Sequence, residues 1–228
     1  MIFCAFRVVI NIKLITLDFE GTLVDFQWKL AEAMDETLHV LSKKGLPGEV
    51  FTGMDYAAIY NHVREKEKVW EFPGNTLISL IGAVYDRYDL DAASRWKPVP
   101  DIHTLLERLK GYRTALVSNV GKKALLKILP EFGLLNSFGL IITRNDVDML
   151  KPSGEGLLRA IDWAGVKKKD SIHIGDSLSD IRAARAAGVK TAIVLGGERD
   201  PETLSKEKPD LLLKRLSDLP AALKSMEF

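Results

Sequence analysis

The chain has 228 residues, of which 46% are hydrophobic and 28% charged, and its formal net charge is +1. These are the proportions of an ordinary globular chain, with room for one large domain or for a core carrying an insertion. A near-neutral balance without a basic cluster gives no footprint for nucleic acid, and the run Lys167-Lys168-Lys169 reads as a solvated turn. The single cysteine, Cys4, cannot close an internal disulfide, which favours a reducing, cytoplasmic setting.

Met1 to Leu17 is mostly apolar, but Arg7, Asn11 and Lys13 interrupt it. It is too short to span a membrane and no small-residue cleavage site follows, so no membrane partner is expected. Met1 to Ile10 reads as an extra or frayed strand. Ile12 to Leu17 reads as a buried strand. Where it runs out stands Asp18-Phe19-Glu20-Gly21-Thr22-Leu23-Val24-Asp25. Two acids held together repel unless a cation or a reaction uses them. In an open parallel sheet, ligands bind just outside the strands' carboxyl ends.

From Asp25 to about Trp96 the strand signal disappears. Leu30, Ala33, Met34, Leu38 and Leu41 form a helical stripe, and Tyr56, Ile59, Tyr60 and Val63 form a second. A third runs through Leu77, Leu80, Ile81, Val84, Tyr85 and Tyr88, with Gly45-Leu46-Pro47-Gly48 and Pro73-Gly74-Asn75 as the separating loops. Alternation resumes after Pro98-Val99-Pro100. Helices are expected over Ile102–Leu109, Lys122–Phe132, Gly154–Ala164 and Leu178–Ala187, and strands over Thr114–Val117, Leu140–Thr143, Ser171–Ile174, Thr191–Leu195 and Leu211–Leu213. A last helix starts near Leu216. Short strands alternating with helices imply parallel strands and right-handed crossovers. The expected fold is a three-layer α/β sandwich with a parallel, Rossmann-like sheet. Its core comprises residues 1–25 and 97–228, and a small helical bundle is inserted over 26–96.

Three further polar clusters fall near strand ends: Val117-Ser118-Asn119, Lys151-Pro152, and Gly175-Asp176-Ser177-Leu178-Ser179-Asp180. Each alone reads most simply as a turn, a helix start or a helix cap. In this order behind Asp-x-Glu-Gly-Thr, they resemble the haloacid dehalogenase superfamily, in subfamily I, whose helical C1-type cap follows the first motif. The resemblance rests on Asp18 to Thr22, Ser118, Lys151, and Asp176 with Asp180.

It implies a magnesium-dependent phosphatase acting on a small phosphorylated metabolite, as a monomer or homodimer. Asp18 would be the nucleophile, Glu20 the acid and base, and Lys151 the charge partner of Asp18 and of the phosphate. Ser118, Asn119 and Thr22 would meet the phosphoryl group. Mg²⁺ would be held by Asp18, the main-chain carbonyl of Glu20 and Asp176, with Asp180 as a further ligand through water or as a supporting partner. Glu20 departs from the aspartate most phosphatases of the superfamily carry, and its carboxyl reaches one methylene further. Haloacid dehalogenases proper have tyrosine there and lack the acidic pair, which argues against cleavage of a carbon–halogen bond. A phosphomutase and a phosphate-binding module without turnover stay open beside the phosphatase.

Other polar residues carry less. Trp28 at the junction with the inserted bundle faces either the pocket or its own packing. His62 and Arg64, and Lys29, Lys66 and Lys68, read as solvated surface, and His173 as core. Arg199, after the strand ending at Leu195, is a weak phosphate contact at best.

Overall fold

The computed structural model describes residues 11–196 and 200–226, so the strand expected over Met1–Ile10 and the role weighed for Arg199 lie outside the described residues. Strand β1 (Leu14–Leu17) is buried at all four positions. A strand covered on both faces carries an unbroken apolar run rather than alternation, and Leu-Ile-Thr-Leu approximates one. Strands β2 (Arg113–Val117), β3 (Leu140–Ile142), β4 (Ser171–Gly175), β5 (Lys190–Val194) and β6 (Leu211–Leu213) complete one sheet in the order β3-β2-β1-β4-β5-β6. Every pairing is parallel, with Leu17 opposite Leu116 on one side and Ile174 on the other.

The period of two along each strand divides the core into layers. Leu14, Ala115 and Val117 pack with helices α6 (Glu155–Ala164) and α7 (Leu178–Ala187). Ile15, Leu17 and Leu116 point the other way, into a core shared with α4 (Ile102–Arg108), α5 (Lys122–Glu131) and α9 (Leu219–Met226). From β1 the chain steps outward through β2 and β3, then returns to the opposite flank as β4. The strand order therefore reverses at β1, and the crevice at a reversal point is where an α/β sheet offers a ligand site.

Between β1 and α4 lie α1 (Leu30–Ser42), α2 (Tyr56–Lys66) and α3 (Thr76–Ala93). The two segments joining them to the sheet pair with each other: Asp25 N donates to Lys97 O at 3.1 Å and Val99 N to Leu23 O at 2.9 Å. Asn61 on α2 ties down the loop before Lys151, donating to Leu150 O at 2.9 Å and accepting from Leu150 N at 2.7 Å.

Two elements differ from expectation. A short helix α8 (Pro201–Lys206) shows no apolar periodicity, since only Leu204 is buried. It forms because Asp200 caps it, accepting from Thr203 N at 2.9 Å, and Pro201 sits in the first turn where no donor is missed. The last helix begins at Leu219, after a single tight turn over Leu216–Asp218. Among the described residues, no helix is long and apolar enough to cross a membrane.

Candidate active site

The carboxyl ends of β1, β2 and β4 and the loop after β3 converge on one cleft of about 290 Å³. Asp18, Glu20, Ser118, Asn119, Lys151 and Asp176 all line it. At its floor the Lys151 ammonium sits 2.8 Å from Asp18 Oδ1 and 2.6 Å from Asp180 Oδ1. Burial alone would lower that ammonium's pKa, but Asp18 and Asp180 together hold it above the ordinary lysine value. Burial raises the Asp18 carboxyl; Lys151 opposes that and Asp180 adds to it.

Two glycines make room for the acids. Gly21 has φ +83°, in the left-handed region, and a Cβ there would lie 2.2 Å from Asp176 Oδ2. A Cβ on Gly175 would lie 2.2 Å from Asp180 Cγ. Asp18, Asp176 and Asp180 each offer an oxygen, and these oxygens lie within 4.8 Å of one another. One ammonium does not neutralise three carboxylates, so the cluster could hold a divalent cation.

The expected residues do not all sit alike. Thr22, expected at the phosphate, is fully buried outside the cleft lining, and its hydroxyl donates to Asp176 Oδ1 at 3.2 Å. Asp180 is also fully buried, and both its oxygens are engaged. Oδ1 meets Lys151 and His173 Nε2, the latter at 3.0 Å, while Oδ2 accepts from Ser177 N at 3.1 Å in a capping box that starts α7. These contacts, with burial opposing them, hold the Asp180 carboxyl far below its ordinary value. His173 is core, as its strand pattern suggests, but it is also a link: its Nδ1 lies 2.9 Å from Thr16 Oγ1. Asn119 clamps the lysine loop from both ends of its amide, accepting from Lys151 N at 3.0 Å and donating to Lys151 O at 3.1 Å.

Glu20 is held by both segments that lead to the helical insertion. Its Oε1 accepts from Gln27 N at 2.7 Å and from Trp96 Nε1 at 2.8 Å. Burial pushes its carboxyl up to about 7, against those two hydrogen bonds.

The wall opposite the strand ends comes from the insertion. Trp28 lines the cleft and packs on Tyr56, with ring centroids 4.8 Å apart, and on Tyr85 at 5.5 Å. Neither Arg64 nor His62 lines the cleft: Arg64 pairs with Asp148, and His62 lies against Phe51 and Trp70. Arg144, Asp89 and Tyr56 line it and were not among the residues expected there. Arg144 is nearly fully buried, pairing with Asp86 and, at 2.8 Å, with Asp89. A cation two residues beyond β3, on the same edge as the other clusters, was the available signal. Asp89 and Tyr56 gave none, because they interrupt nothing in their helical stripes.

Parallel strand order, reversal at β1 and this acid–lysine cluster define a class of α/β hydrolase. Residues 12–188 match the haloacid dehalogenase-like hydrolase family, and the chain belongs to it. A phosphoglycolate phosphatase of Aquifex aeolicus is 31% identical over 212 residues, covering 91% of this chain and 94% of its own. A pyrophosphatase PpaX of Halalkalibacterium halodurans is 35% identical over 118 residues, 52% of this chain and 54% of that protein. The crystal structure of a haloacid dehalogenase-like protein from Agrobacterium tumefaciens matches with a TM-score of 0.64 at 24% identity, covering 96% of this chain and 100% of the other. At that identity the likeness concerns the fold.

Proposed function

We propose that this hydrolase is a magnesium-dependent phosphatase that cleaves a small phosphorylated metabolite through an aspartyl-phosphate on Asp18. The observation that carries the reading is Lys151 held between Asp18 and Asp180 at the floor of a cleft that Glu20 and Ser118 also line. Asp18 and Asp176, with the main-chain carbonyl of Glu20, would hold Mg²⁺, which supplies positive charge between an anionic nucleophile and an anionic phosphate. Asp180, whose two oxygens already meet Lys151, His173 and Ser177, would support the site by positioning Lys151. Thr22 likewise positions Asp176 instead of meeting the phosphate.

Catalysis then needs positioning, charge neutralisation and proton transfer. The Asp18 carboxylate attacks phosphorus in line as the ester P–O bond breaks, and the leaving oxygen takes a proton from Glu20. Glu20, now ionised, removes a proton from the water that cleaves the aspartyl-phosphate, which regenerates Asp18 and releases phosphate. Lys151 and Ser118 stabilise the transferring group. Glutamate serves here because Gln27 and Trp96 anchor its longer side chain. In this reading residues 1–25 and 97–228 form the core, and 26–96 form a cap that excludes water and contacts the leaving group.

The names of the relatives put 2-phosphoglycolate and pyrophosphate first on a panel of phosphorylated substrates. Phosphate release is expected with Mg²⁺, lost in EDTA and restored by added Mg²⁺. Failure to release phosphate from any panel member with metal present would sink the proposal.

A further inference from the structure

Residues 147–154, ahead of α6, belong to no strand or helix, so their main-chain groups have to be met by other means. The amides of Asp148 and Met149 donate to the Glu155 carboxylate, Met149 N at 2.9 Å. The next two residues are clamped by asparagines. Lys151 N donates to Asn119 Oδ1 at 3.0 Å, and Lys151 O accepts from Asn119 Nδ2 at 3.1 Å. Leu150 N donates to Asn61 Oδ1 at 2.7 Å, and Leu150 O accepts from Asn61 Nδ2 at 2.9 Å. All four main-chain polar groups of Leu150-Lys151 therefore lie against two side-chain amides. Asn119 stands just beyond β2, whereas Asn61 is supplied by helix α2 of the insertion. The same helix touches the other clamp, because Tyr56 Oη accepts from Asn119 Nδ2 at 3.1 Å.

The gripped segment is the one that carries the ammonium. Lys151 is 4% exposed, with Nζ 2.8 Å from Asp18 Oδ1 and 2.6 Å from Asp180 Oδ1. A buried side chain lodged between two carboxylates has little room to absorb a displacement of its own main chain. Misplacing a reacting group by about 1 Å can cost on the order of 10²-fold in rate. Attaching the insertion to this loop does not by itself call for Asn61. Arg64, a turn further along α2, already does so by pairing with Asp148 at the surface. Asn61 takes hold of both main-chain groups of Leu150, which is fully buried and directly precedes the lysine.

We infer that Asn61 is a positioning residue: its amide fixes the Leu150-Lys151 main chain and, through it, the Lys151 ammonium, so that the insertion helps to complete the charged floor of the cleft. The inference rests on the phosphatase reading for what Lys151 does but not for where it is held. Steady-state kinetics of wild type, Asn61→Leu and Arg64→Ala on p-nitrophenyl phosphate and 2-phosphoglycolate test it. Lys151 would meet the phosphoryl group common to both substrates, so Asn61→Leu should lower kcat about tenfold on each, the scale of two neutral hydrogen bonds. Arg64→Ala cuts only a surface ion pair and should stay within about twofold of wild type. An unchanged kcat in Asn61→Leu, or an equal loss in Arg64→Ala, overturns the inference.

A second measurement needs no turnover. Among the described residues Lys151 is the one buried lysine, which sets its ammonium signal apart in ¹H–¹⁵N correlation spectra. Asn61→Leu should shift that signal, and Arg64→Ala should leave it in place. A loss of stability alone would move the urea midpoint but not the native-state signal. An unmoved signal in Asn61→Leu overturns the inference. Should Asn61→Leu not fold, Asn61→Asp, which keeps the acceptor for Leu150 N and loses the donor to Leu150 O, is held to the same outcomes. If wild type hydrolyses neither substrate yet the signal responds as described, only the phosphatase reading fails.

Discussion

The floor and the wall of the cleft are built on opposite terms. On the floor, at the strand ends, polar side chains meet one another: Thr16 meets His173, His173 and Lys151 meet Asp180, Thr22 meets Asp176. On the wall, contributed by the helical insertion, ring contacts dominate, Trp28 packing on Tyr56 and Tyr85. A saturated network holds its members in one geometry, which suits groups that must meet phosphorus in line. A wall of packed rings constrains shape rather than the placement of polar atoms.

Replacing Asp18 by Asn is the hardest test of the floor. Turnover should fall by at least about 10⁴-fold, the scale seen when a covalent nucleophile is removed. Retention of most activity in a phosphate-release assay would mean that the reacting group is elsewhere. Glu20→Gln keeps the size and the anchoring acceptor but removes the transferable proton. Its kcat should drop by roughly 10²–10⁴-fold, the usual range for general acid–base catalysis. A smaller loss for a substrate whose leaving group needs no proton would sharpen the assignment.

Lys151→Met leaves Asp18 and Asp180 buried without their shared counter-charge. Breaking a buried ion pair from one side destabilises by about 3–5 kcal/mol, so the urea midpoint should fall markedly. An unchanged midpoint would show that the floor is not held together by this lysine. The smallest effect is expected at the join between the two regions. Trp96→Phe removes one of two donors from Glu20 and should reduce kcat about twofold to tenfold, the worth of a neutral hydrogen bond. A loss as large as that of Glu20→Gln would mean that the wall's connection, not the floor, places the acid.

Much of this was legible in the chain. Each strand from β1 to β6 and each helix from α1 to α7 coincides with an apolar run or stripe, because burial in a layered fold imposes a period of 2 or 3.6 directly on the sequence. Asp18, Ser118 and Asp176 follow apolar strand runs directly, whereas Lys151 lies well beyond the end of β3 and stood out only through the order of the clusters and the family resemblance. The short helix at Pro201 escaped, since its reasons are a cap and a proline rather than a stripe. The contacts of Thr22 and Asp180 were not legible, because sequence spacing orders residues along the chain but does not say which oxygen another side chain will occupy.

By itself, then, the sequence determined the parallel sheet, the helical insertion after β1 and the four segments that meet. Local patterning suffices for those, because each strand's burial and each helix's amphipathicity are properties of neighbouring residues. Only the tertiary structure decided that Asp180 and His173 stand behind Lys151, that Arg144 in the loop after β3 pairs with Asp89 on the insertion, and that Trp28 packs on Tyr56 and Tyr85 at the cleft wall. Those facts depend on atoms brought together from distant parts of the chain, and no local period encodes them.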